Sequence, residues 1–421
     1  MKTTPADFMS SMMNSVQDRR GVSGAFMGDR FKDFQWGVKI PHLMMEYLFC
    51  LNVIPMPTII ELAGMQGSCK STFLQYLMRI FAEQGMNAHM IETEGKMSWT
   101  LFESILREHV SRTGLTPGPM SQEEWMAEFL FACANYRKAY SASLDAYRRS
   151  GGQEPLVKPF LEGLDSLGGA PSNETMKTTD KDKSVGRSFP IEALKNSRFF
   201  PQIPVRMRDL PMVFVYTNHE QTRITEQKGP FAVQGPRSSQ GGHRPDFFCG
   251  LRIFFEQQTK PKTVSGVTTQ VLKLETVKNS FGEKNRSFAL PMCWKTVTDE
   301  ETGEDRQETW FDWEGTLTNF LAPPSGVDTK FPRTELKKLI TVVRNSEASF
   351  SCKELGLDKV SPQEVGRAIE SEPDLVKEIR PILGISTWRV WDGKPLIDSV
   401  KAELDLPAPD LNVTEADVKE E

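Results

Sequence analysis

The chain has 421 residues, of which 38% are hydrophobic and 25% are charged, a composition typical of a globular protein with two or three domains. Its net charge of −5 argues against a protein that binds nucleic acid over its whole surface. The six cysteines show no C-x-x-C spacing and the five histidines no H-E-x-x-H motif, so neither a structural zinc site nor a disulfide framework is predicted.

The N-terminal stretch MKTTPADFMSSMMNSVQDRR lacks the apolar core of a signal peptide, and no apolar run approaches the roughly 20 residues that cross a bilayer. We therefore expect no membrane partner and a cytoplasmic location. Apolar side chains within residues 5–17 lie on one helical stripe. The stripe predicts a helix that either packs on its own domain or forms an N-terminal arm, residues 1–32, docking on a neighbouring subunit.

Short apolar runs alternate with helical patterns between residues 33 and 320. The runs PTIIELAG, NAHMIE, LPMVFVYTNH and CGLRIFFEQ are rich in β-branched or aromatic residues, as in strands buried on both faces. Residues 121–149 predict a long helix between Pro/Gly breaks. This interleaving predicts an α/β domain with a mainly parallel sheet.

The C-terminal part follows a predicted linker, LAPPSGVDTKFP. Residues 330–396 predict a small, mostly helical C-terminal domain, and residues 397–421 an acidic tail. The last twenty residues hold seven acids and one lysine.

A phosphate-binding loop is predicted at ELAGMQGSCKSTF, residues 61–73. Such a loop needs a strand, a turn whose N–H groups converge on phosphate, a lysine, a Ser or Thr for Mg²⁺, and a helix whose positive end faces the anion. All five are present. Cys69 replaces the last glycine of G-x-x-x-x-G-K-[ST]; its small side chain is tolerated if the backbone there is in the helical region, where no positive φ is required. The predicted nucleotide-binding residues are Gly64, Met65, Gln66, Gly67, Ser68, Cys69, Lys70, Ser71 and Thr72; the alternative is a degenerate loop that binds weakly or not at all.

Two carboxylates follow in the segment AHMIETEG. Glu92 and Glu94 are two residues apart, so an extended chain places them on one side, at the end of a strand that we expect to neighbour the strand of the phosphate loop. At that position, one of the two carboxylates could orient the water that attacks a γ-phosphate. The alternative is that both are ordinary surface acids at the end of a strand.

Five motifs in this order resemble the RecA family of DNA strand-exchange proteins, most closely its phage branch, the UvsX-type recombinases. They are TIIELAGMQGSCKST, HMIETEG about 20 residues later, LEGLDSLGG, VFVYTNHEQ and a polar loop ending in GGHRPDFFCGLRI. The segments GVKIPHLMMEYL and LETVKNSFGEKNRSFAL fit the same branch. The resemblance covers about residues 35–290 and implies a RecA-like P-loop ATPase core at residues 33–320.

The resemblance also implies roles for single residues. Lys70 and Ser71 would hold phosphates and Mg²⁺, and Glu94 would be the catalytic carboxylate. Asp165 would contact Mg²⁺ through water, although Pro159, Glu162 and Gly163 interrupt the apolar strand that the family has there.

Three further positions carry implied roles at or across the nucleotide. Asn218 and His219 resemble the polar pair that senses the γ-phosphate, with a strand-end cap as the alternative. Lys278 would act in trans, reaching the γ-phosphate bound by the adjacent subunit; the alternative is an exposed cation at a strand end.

Two polar stretches, residues 169–188 and 219–244, resemble the first and second DNA-binding loops of the family. Residues 177–260 carry 14 Lys and Arg against 8 Asp and Glu. The alternatives are a solvated mixed-charge surface and disordered loops. The candidate contacts are Lys177, Lys183 and Arg187 in the first loop, and Arg223, Lys228, Phe231, Arg237, Gly241 and Gly242 in the second.

These features together predict an ATP- and Mg²⁺-dependent recombinase that forms helical filaments on single-stranded DNA and exchanges strands with double-stranded DNA in recombination, repair and recombination-dependent replication. Expected partners are both forms of DNA, further copies of the chain, and recombination mediator and single-strand-binding proteins. The alternatives are a ring-forming RecA-core helicase and a non-hydrolysing DNA-binding mediator with a decayed loop.

Overall fold

A computed structural model describes residues 35–179, 191–221, 238–239, 244–298, 303, 305–324 and 333–395. Its strands are β1 (Trp36–Lys39), β2 (Val53–Pro55), β3 (Thr58–Gly64), β4 (Asn87–Glu92), β5 (Thr113–Thr116), β6 (Phe160–Asp165), β7 (Met212–Gln221), β8 (Ser238–Ser239), β9 (Leu251–Gln257), β10 (Lys262–Val264), β11 (Val267–Asn279), β12 (Ser287–Thr298), β13 (Asp305–Phe311), β14 (Val342–Arg344), β15 (Phe350–Cys352), β16 (Leu357–Val360) and β17 (Arg389–Val390). Its α-helices are α1 (Leu43–Phe49), α2 (Lys70–Glu83), α3 (Trp99–Leu106), α4 (Gln122–Arg149), α5 (Asn173–Thr179), α6 (Ile191–Phe199), α7 (Gln202–Met207), α8 (Arg244–Phe248), α9 (Trp313–Leu321), α10 (Arg333–Leu339), α11 (Pro362–Glu370) and α12 (Pro373–Ile382).

An 11-stranded mixed sheet forms the centre of the protein, in the order β13-β12-β11-β9-β3-β7-β6-β4-β5, with β10 beside β11 and β8 beside β7. The strands from β9 to β5 are parallel to their neighbours, whereas β11, β12 and β13 extend the sheet antiparallel beyond β9. The prediction of an α/β fold with a mainly parallel sheet is therefore confirmed. The four apolar runs expected to be strands form β3, β4, β7 and β9.

The position of β4 differs from our expectation. We placed it beside β3, but β7 and β6 lie between them. Parallel strands are joined by helical crossovers rather than tight turns, so closeness along the chain does not make them neighbours in the sheet. Because β3, β7, β6 and β4 run in the same direction, their carboxyl ends still meet at one edge.

Side chains of the central strands alternate between two apolar cores, one on each face of the sheet. In β7, Val213 and Val215 enter one core, while Phe214 and Tyr216 enter the other. The first core contains α1, α2 and α3 and continues into the C-terminal segment; the second contains α4, α6 and α7. This period of two follows from the pleat and explains why the strands are apolar on both faces.

Two sequence features fix the helices around the sheet. Ser121 and Glu124 form a reciprocal capping box at the start of α4, which confirms the predicted long helix. In β6, a side chain at Gly163 would place its Cβ 3.1 Å from a methyl group of Leu74 on α2, so glycine allows this close packing. The interruption of the apolar pattern there does not break the strand.

An acid–base pair joins β4 to β6, with Glu162 fully buried and His89 half-buried. His89 Nδ1 lies 2.8 Å from Glu162 Oε1, and His89 Nε2 lies 2.9 Å from Thr116 Oγ1. Burial raises the pKa of Glu162 to about 7, although the hydrogen bond from His89 opposes this change. Burial lowers the pKa of His89, but the contact with Glu162 outweighs it, so that pKa is raised.

Residues 333–395 combine helices α10, α11 and α12 with a three-stranded sheet, β14-β15-β16. They pack closely on the central part: a Cβ at Gly366 of α11 would lie 2.1 Å from the carbonyl oxygen of Glu314 on α9. Arg380 makes two 2.7 Å bonds to the buried carboxylate of Glu46, and β17 pairs with β1. A separate domain at residues 330–396 stays a prediction.

Segments 1–32 and 397–421, predicted as an arm and an acidic tail, lie outside the described residues. Among the described helices, none combines the length and apolar character that a membrane crossing requires.

Candidate functional site

The predicted phosphate loop joins β3 to α2 at the carboxyl edge of the sheet. Gly64, at φ 156°, has no room for a side chain, because a Cβ there would lie 2.3 Å from the carbonyl oxygen of Phe255. Gly67 has a φ of 78°, in the region that favours glycine. The Gln270 side-chain amide donates to the Gly67 carbonyl at 3.3 Å, so β11 also supports the turn.

Cys69 has φ 61° and ψ 27°, which is the left-handed conformation. The condition under which we expected a side chain to be tolerated here, a helical backbone with negative φ, is therefore not met. The chain turns from β3 into α2 through this residue, and a side chain in that conformation costs about 1–2 kcal/mol. Burial raises the pKa of the Cys69 thiol to about 11, so the group is protonated at neutral pH.

The Lys70 ammonium is buried at the first position of α2. It donates to the carbonyl oxygens of Met65 at 2.7 Å and Gly64 at 3.1 Å. Burial lowers the pKa of Lys70, and the charges of Asp165 and Glu94 oppose this change. The geometry therefore holds one cation within the mouth of the loop, beside two carboxylates.

Asp165 ends β6 next to the start of α2. Its carboxylate accepts hydrogen bonds from the hydroxyl groups of Thr217 and Ser71. Burial raises the pKa of Asp165, and these two hydrogen bonds oppose the change. A hydroxyl and a carboxylate side by side are hard oxygen donors, which suits Mg²⁺. The residues present thus fit the ion that the sequence predicted.

Glu94 lies just beyond β4 and bonds to three side chains. Ser166 Oγ donates to its Oε1 at 2.7 Å, Lys96 Nζ donates to its Oε2 at 2.9 Å, and His219 Nε2 lies 3.2 Å from Oε1. Burial raises the pKa of Glu94, but the hydrogen bonds from Lys96, Ser166 and His219 outweigh it and lower the pKa to about 2. This carboxylate is ionised at neutral pH.

Glu92 and Glu94 both line the cavity, in line with our expectation that they share a side, but they are held in different ways. Strand β4 ends at Glu92, and the chain then turns, so the period-two rule no longer relates the two residues. Glu92 is buried and accepts hydrogen bonds from backbone N–H groups, whereas the Glu94 carboxylate is 21% exposed and bonds to side chains.

The predicted pair on β7 is divided by the sheet. His219 lines the cavity and contacts Glu94. Asn218 is buried on the opposite side, where its amide donates to Glu61 Oε1 at 3.0 Å. Glu61 Oε2 in turn lies 3.0 Å from Arg252 Nε, so one buried network joins β3, β7 and β9. Successive strand residues point to opposite faces, which explains this separation.

Lys278 lies on β11 opposite Arg252, near the amino end of β9 and away from the phosphate loop. Its ammonium donates to the carbonyl oxygens of Asp246 and Phe247, close to the end of α8. Carbonyl groups at a helix end lack intrahelical partners, so this lysine has a local role in addition to the one predicted in trans.

A cavity of about 1050 Å³ connects these groups. Its walls come from the phosphate loop, the turn after β4, the segment before α4, and the ends of β6 and β7. Of the predicted residues, Met65, Gln66, Gly67, Cys69, Lys70, Ser71, Thr72, Glu94, Asp165 and His219 line it. Gly64 and Ser68 belong to the same loop but are not among the lining residues.

Three contributors were missed from the sequence: Thr217, Ser166 and Lys96. Thr217 was recognisable, because it stands two residues before His219 on the same strand and therefore points to the same face. Ser166 and Lys96 lie in irregular segments, where no period fixes the direction of a side chain.

The first predicted DNA loop, residues 169–188, is partly helical. Helix α5 occupies Asn173–Thr179, with Ser172 Oγ accepting from the Thr175 N–H at 3.1 Å and Glu174 in the first turn. This N-cap pattern was present in the sequence. Lys177 lies in α5. In the second loop, β8 pairs with the end of β7.

The other predicted DNA contacts lie outside the described residues: Lys183, Arg187, Arg223, Lys228, Phe231, Arg237, Gly241 and Gly242. Comparison of the sequence with models of protein families and with curated proteins gives no match.

Proposed function

We propose that this cavity binds ATP with Mg²⁺ and hydrolyses it, and that the chain is a recombinase that assembles on single-stranded DNA and exchanges DNA strands. The main support for ATP hydrolysis is that Lys70, Ser71, Asp165 and Glu94 all line one cavity. Ligands of open α/β sheets bind outside the carboxyl ends of the strands, which is where these four residues lie.

The phosphate groups would be held by the loop and by the first residues of α2. Lys70 would supply the cation for the β- and γ-phosphates, and N–H groups of the loop would donate to the same anion. Ser71 and Asp165 would hold Mg²⁺, Asp165 through water; the bound ion would neutralise charge that develops on the phosphates.

Glu94 has the position and charge needed to orient the attacking water. Its low pKa keeps it ionised, and its three side-chain contacts fix the direction of the carboxylate. Such a residue contributes by positioning the nucleophile, since most catalysis of phosphoryl transfer comes from alignment and charge.

The DNA part of the proposal rests on the order of the RecA-like motifs, on the position of the predicted DNA loops and on the position of His219. The chain enters both predicted DNA loops from the carboxyl edge, after β6 and after β7. His219 on β7 contacts Glu94 and stands two residues before the end of that strand. A change at the γ-phosphate that moves Glu94 would reach His219, and from there the second predicted loop begins only a few residues along the chain. This short connection supports coupling between nucleotide state and DNA affinity.

The direct test is ATP hydrolysis with and without single-stranded DNA, comparing wild type with Lys70→Ala and Glu94→Gln. We expect DNA to stimulate the wild type, Lys70→Ala to lose ATP-dependent DNA binding, and Glu94→Gln to bind ATP but turn over slowly. Lys138→Ala, an exposed change on α4, is the control with unchanged activity. Hydrolysis at wild-type rate by Lys70→Ala would refute the ATPase assignment.

Electron micrographs with single-stranded DNA and a slowly hydrolysed ATP analogue then separate the possible assemblies. Helical filaments are the expected result. Closed rings would favour a helicase, and the absence of any assembly, together with absent hydrolysis, would favour a DNA-binding mediator.

A further inference from the structure

Glu92 occupies an unusual position for a carboxylate. It is 4% exposed, and its charge faces backbone N–H groups rather than a cation. Its Oε1 accepts from the N–H of Glu94 at 2.9 Å and of Lys96 at 3.3 Å. Its Oε2 accepts from Gly95 at 2.7 Å and Gly118 at 3.2 Å. Four donors from two separate segments therefore converge on one side chain.

The surrounding backbone is built around this carboxylate. Gly95 has a φ of 66°, which allows three successive N–H groups to turn toward one point. A Cβ at Gly118 would lie 2.6 Å from the Glu92 carbonyl oxygen and 2.9 Å from Oε2, so only glycine brings the second segment this close.

We infer that Glu92 is a positioning residue, which holds the turn bearing Glu94 and Lys96 against the segment that leads into α4. The inference rests on the proposed ATPase function. The turn delivers Glu94 to Ser166 and His219, while the segment after Gly118 supplies Pro119, Met120 and Ser121 to the lining of the same cavity. One carboxylate thus holds together two of the segments that line the cavity.

The carboxylate cannot be replaced by an amide without loss. Glu92→Gln keeps the size of the side chain, but its NH₂ group presents donors to N–H donors, leaving buried groups without acceptors. A displacement of about 1 Å in a positioning element can reduce turnover about 100-fold. The hydrogen bonds of Glu92 go to Glu94, Gly95, Lys96 and Gly118 rather than to the phosphate loop, so nucleotide binding is expected to persist.

The experiment compares steady-state ATP hydrolysis of the full chain with Glu92→Gln, Glu92→Asp and Gly118→Ala. We expect kcat of Glu92→Gln to fall about 100-fold. KM for ATP should change less than about 3-fold, which corresponds to a free-energy difference below the 1.4 kcal/mol of a tenfold change. Glu92→Asp keeps the charge and should recover part of kcat. Gly118→Ala disturbs the same carboxylate from the other segment and should lower kcat in the same selective way.

The matched control is Glu46→Gln, which alters an equally buried carboxylate that pairs with Arg380 far from the cavity. It should lower thermal stability and leave kcat unchanged. Because Glu92 acts through Glu94, the double variant Glu92→Gln/Glu94→Gln should hydrolyse no more slowly than Glu94→Gln alone.

Three results would overturn the inference: wild-type kcat in both Glu92→Gln and Gly118→Ala, equal losses in kcat and nucleotide affinity, or a further fall in the double variant. An inactive Glu92→Gln beside an active Glu94→Gln would make Glu92 the catalytic carboxylate instead. Failure of the proposed function is distinct, because the wild type itself would then show no ATP hydrolysis.

Discussion

The left-handed backbone of Cys69 can be tested by comparing Cys69→Ala with Cys69→Gly. Both changes remove the thiol and its 3.8 Å contact with the Gly67 carbonyl oxygen, so that loss cancels between them. Only the alanine variant keeps a Cβ. The comparison therefore isolates the cost of a side chain at φ 61°.

The expected difference follows from two opposing effects. A Cβ in the left-handed region costs about 1–2 kcal/mol, whereas glycine gives the unfolded chain extra entropy worth about 0.5–1 kcal/mol. Cys69→Gly should therefore be more stable than Cys69→Ala by about 0.5–1 kcal/mol. A helical conformation would give the opposite sign, with glycine less stable by about 1 kcal/mol.

Calorimetric thermal midpoints of both variants, measured at one scan rate, provide the assay. With an unfolding entropy of about 2.1 cal/mol/K per residue, a chain of 421 residues shifts by about 1 °C per kcal/mol. The glycine variant should melt about 0.5–1 °C above the alanine variant. A lower midpoint for Cys69→Gly would refute the left-handed assignment.

Three other changes test separate parts of the structure. Gly64→Ala should lose nucleotide binding and on the order of 2 kcal/mol of stability because its Cβ meets the Phe255 carbonyl oxygen. Gly266→Ala, at a positive φ of 78° with no atom within 4 Å of its Cβ, is the control and should bind normally. Burial raises the pKa of Glu162 from 4.5 to about 7 in the folded state, so wild-type stability falls as the pH rises through this range. The Glu162→Gln variant lacks this loss, so its thermal midpoint should rise relative to wild type between about pH 5 and pH 8; a constant difference would contradict the assignment. Lys278→Ala should bind nucleotide but lose DNA-stimulated hydrolysis and assembly, and mixing it with Lys70→Ala protein should restore part of the hydrolysis; co-assembly without any recovery would exclude a site shared between subunits.

The sequence was sufficient to predict strands and site residues wherever local chemistry and the periodicity of apolar residues determine the structure together. The runs that form β3, β4, β7 and β9 are apolar because both faces of the sheet are covered, and that pattern is visible without coordinates. Lys70 and Ser71 follow β3 after a single turn, so their placement needs only the strand, the turn and the helix. Asp165 was reached through the motif order, and Gly163 proved compatible with a strand because α2 packs on it.

Other features depend on contacts between distant segments. The place of β4 in the sheet is set by helical crossovers, for which sequence distance is a poor guide. The role of Glu92 depends on Gly118, which lies 26 residues further along the chain. The division between Asn218 and His219 follows from strand geometry and could have been predicted; the partner of Asn218, Glu61, could not, because it lies 157 residues away.

The network of Glu61, Asn218 and Arg252 also bears on the order in which the protein is made. Glu61 is fully buried in the strand that carries the phosphate loop, yet Asn218 and Arg252, which pair with it, are synthesised much later. A buried charge that lacks its partner costs about 3–5 kcal/mol. A nascent chain that ends before Arg252 therefore cannot stably bury β3 in the sheet, although it already contains every residue of the phosphate loop. Ribosome-bound chains stalled before Arg252 should be easily cleaved by protease around β3. Chains long enough to expose β9 outside the ribosome should resist this cleavage.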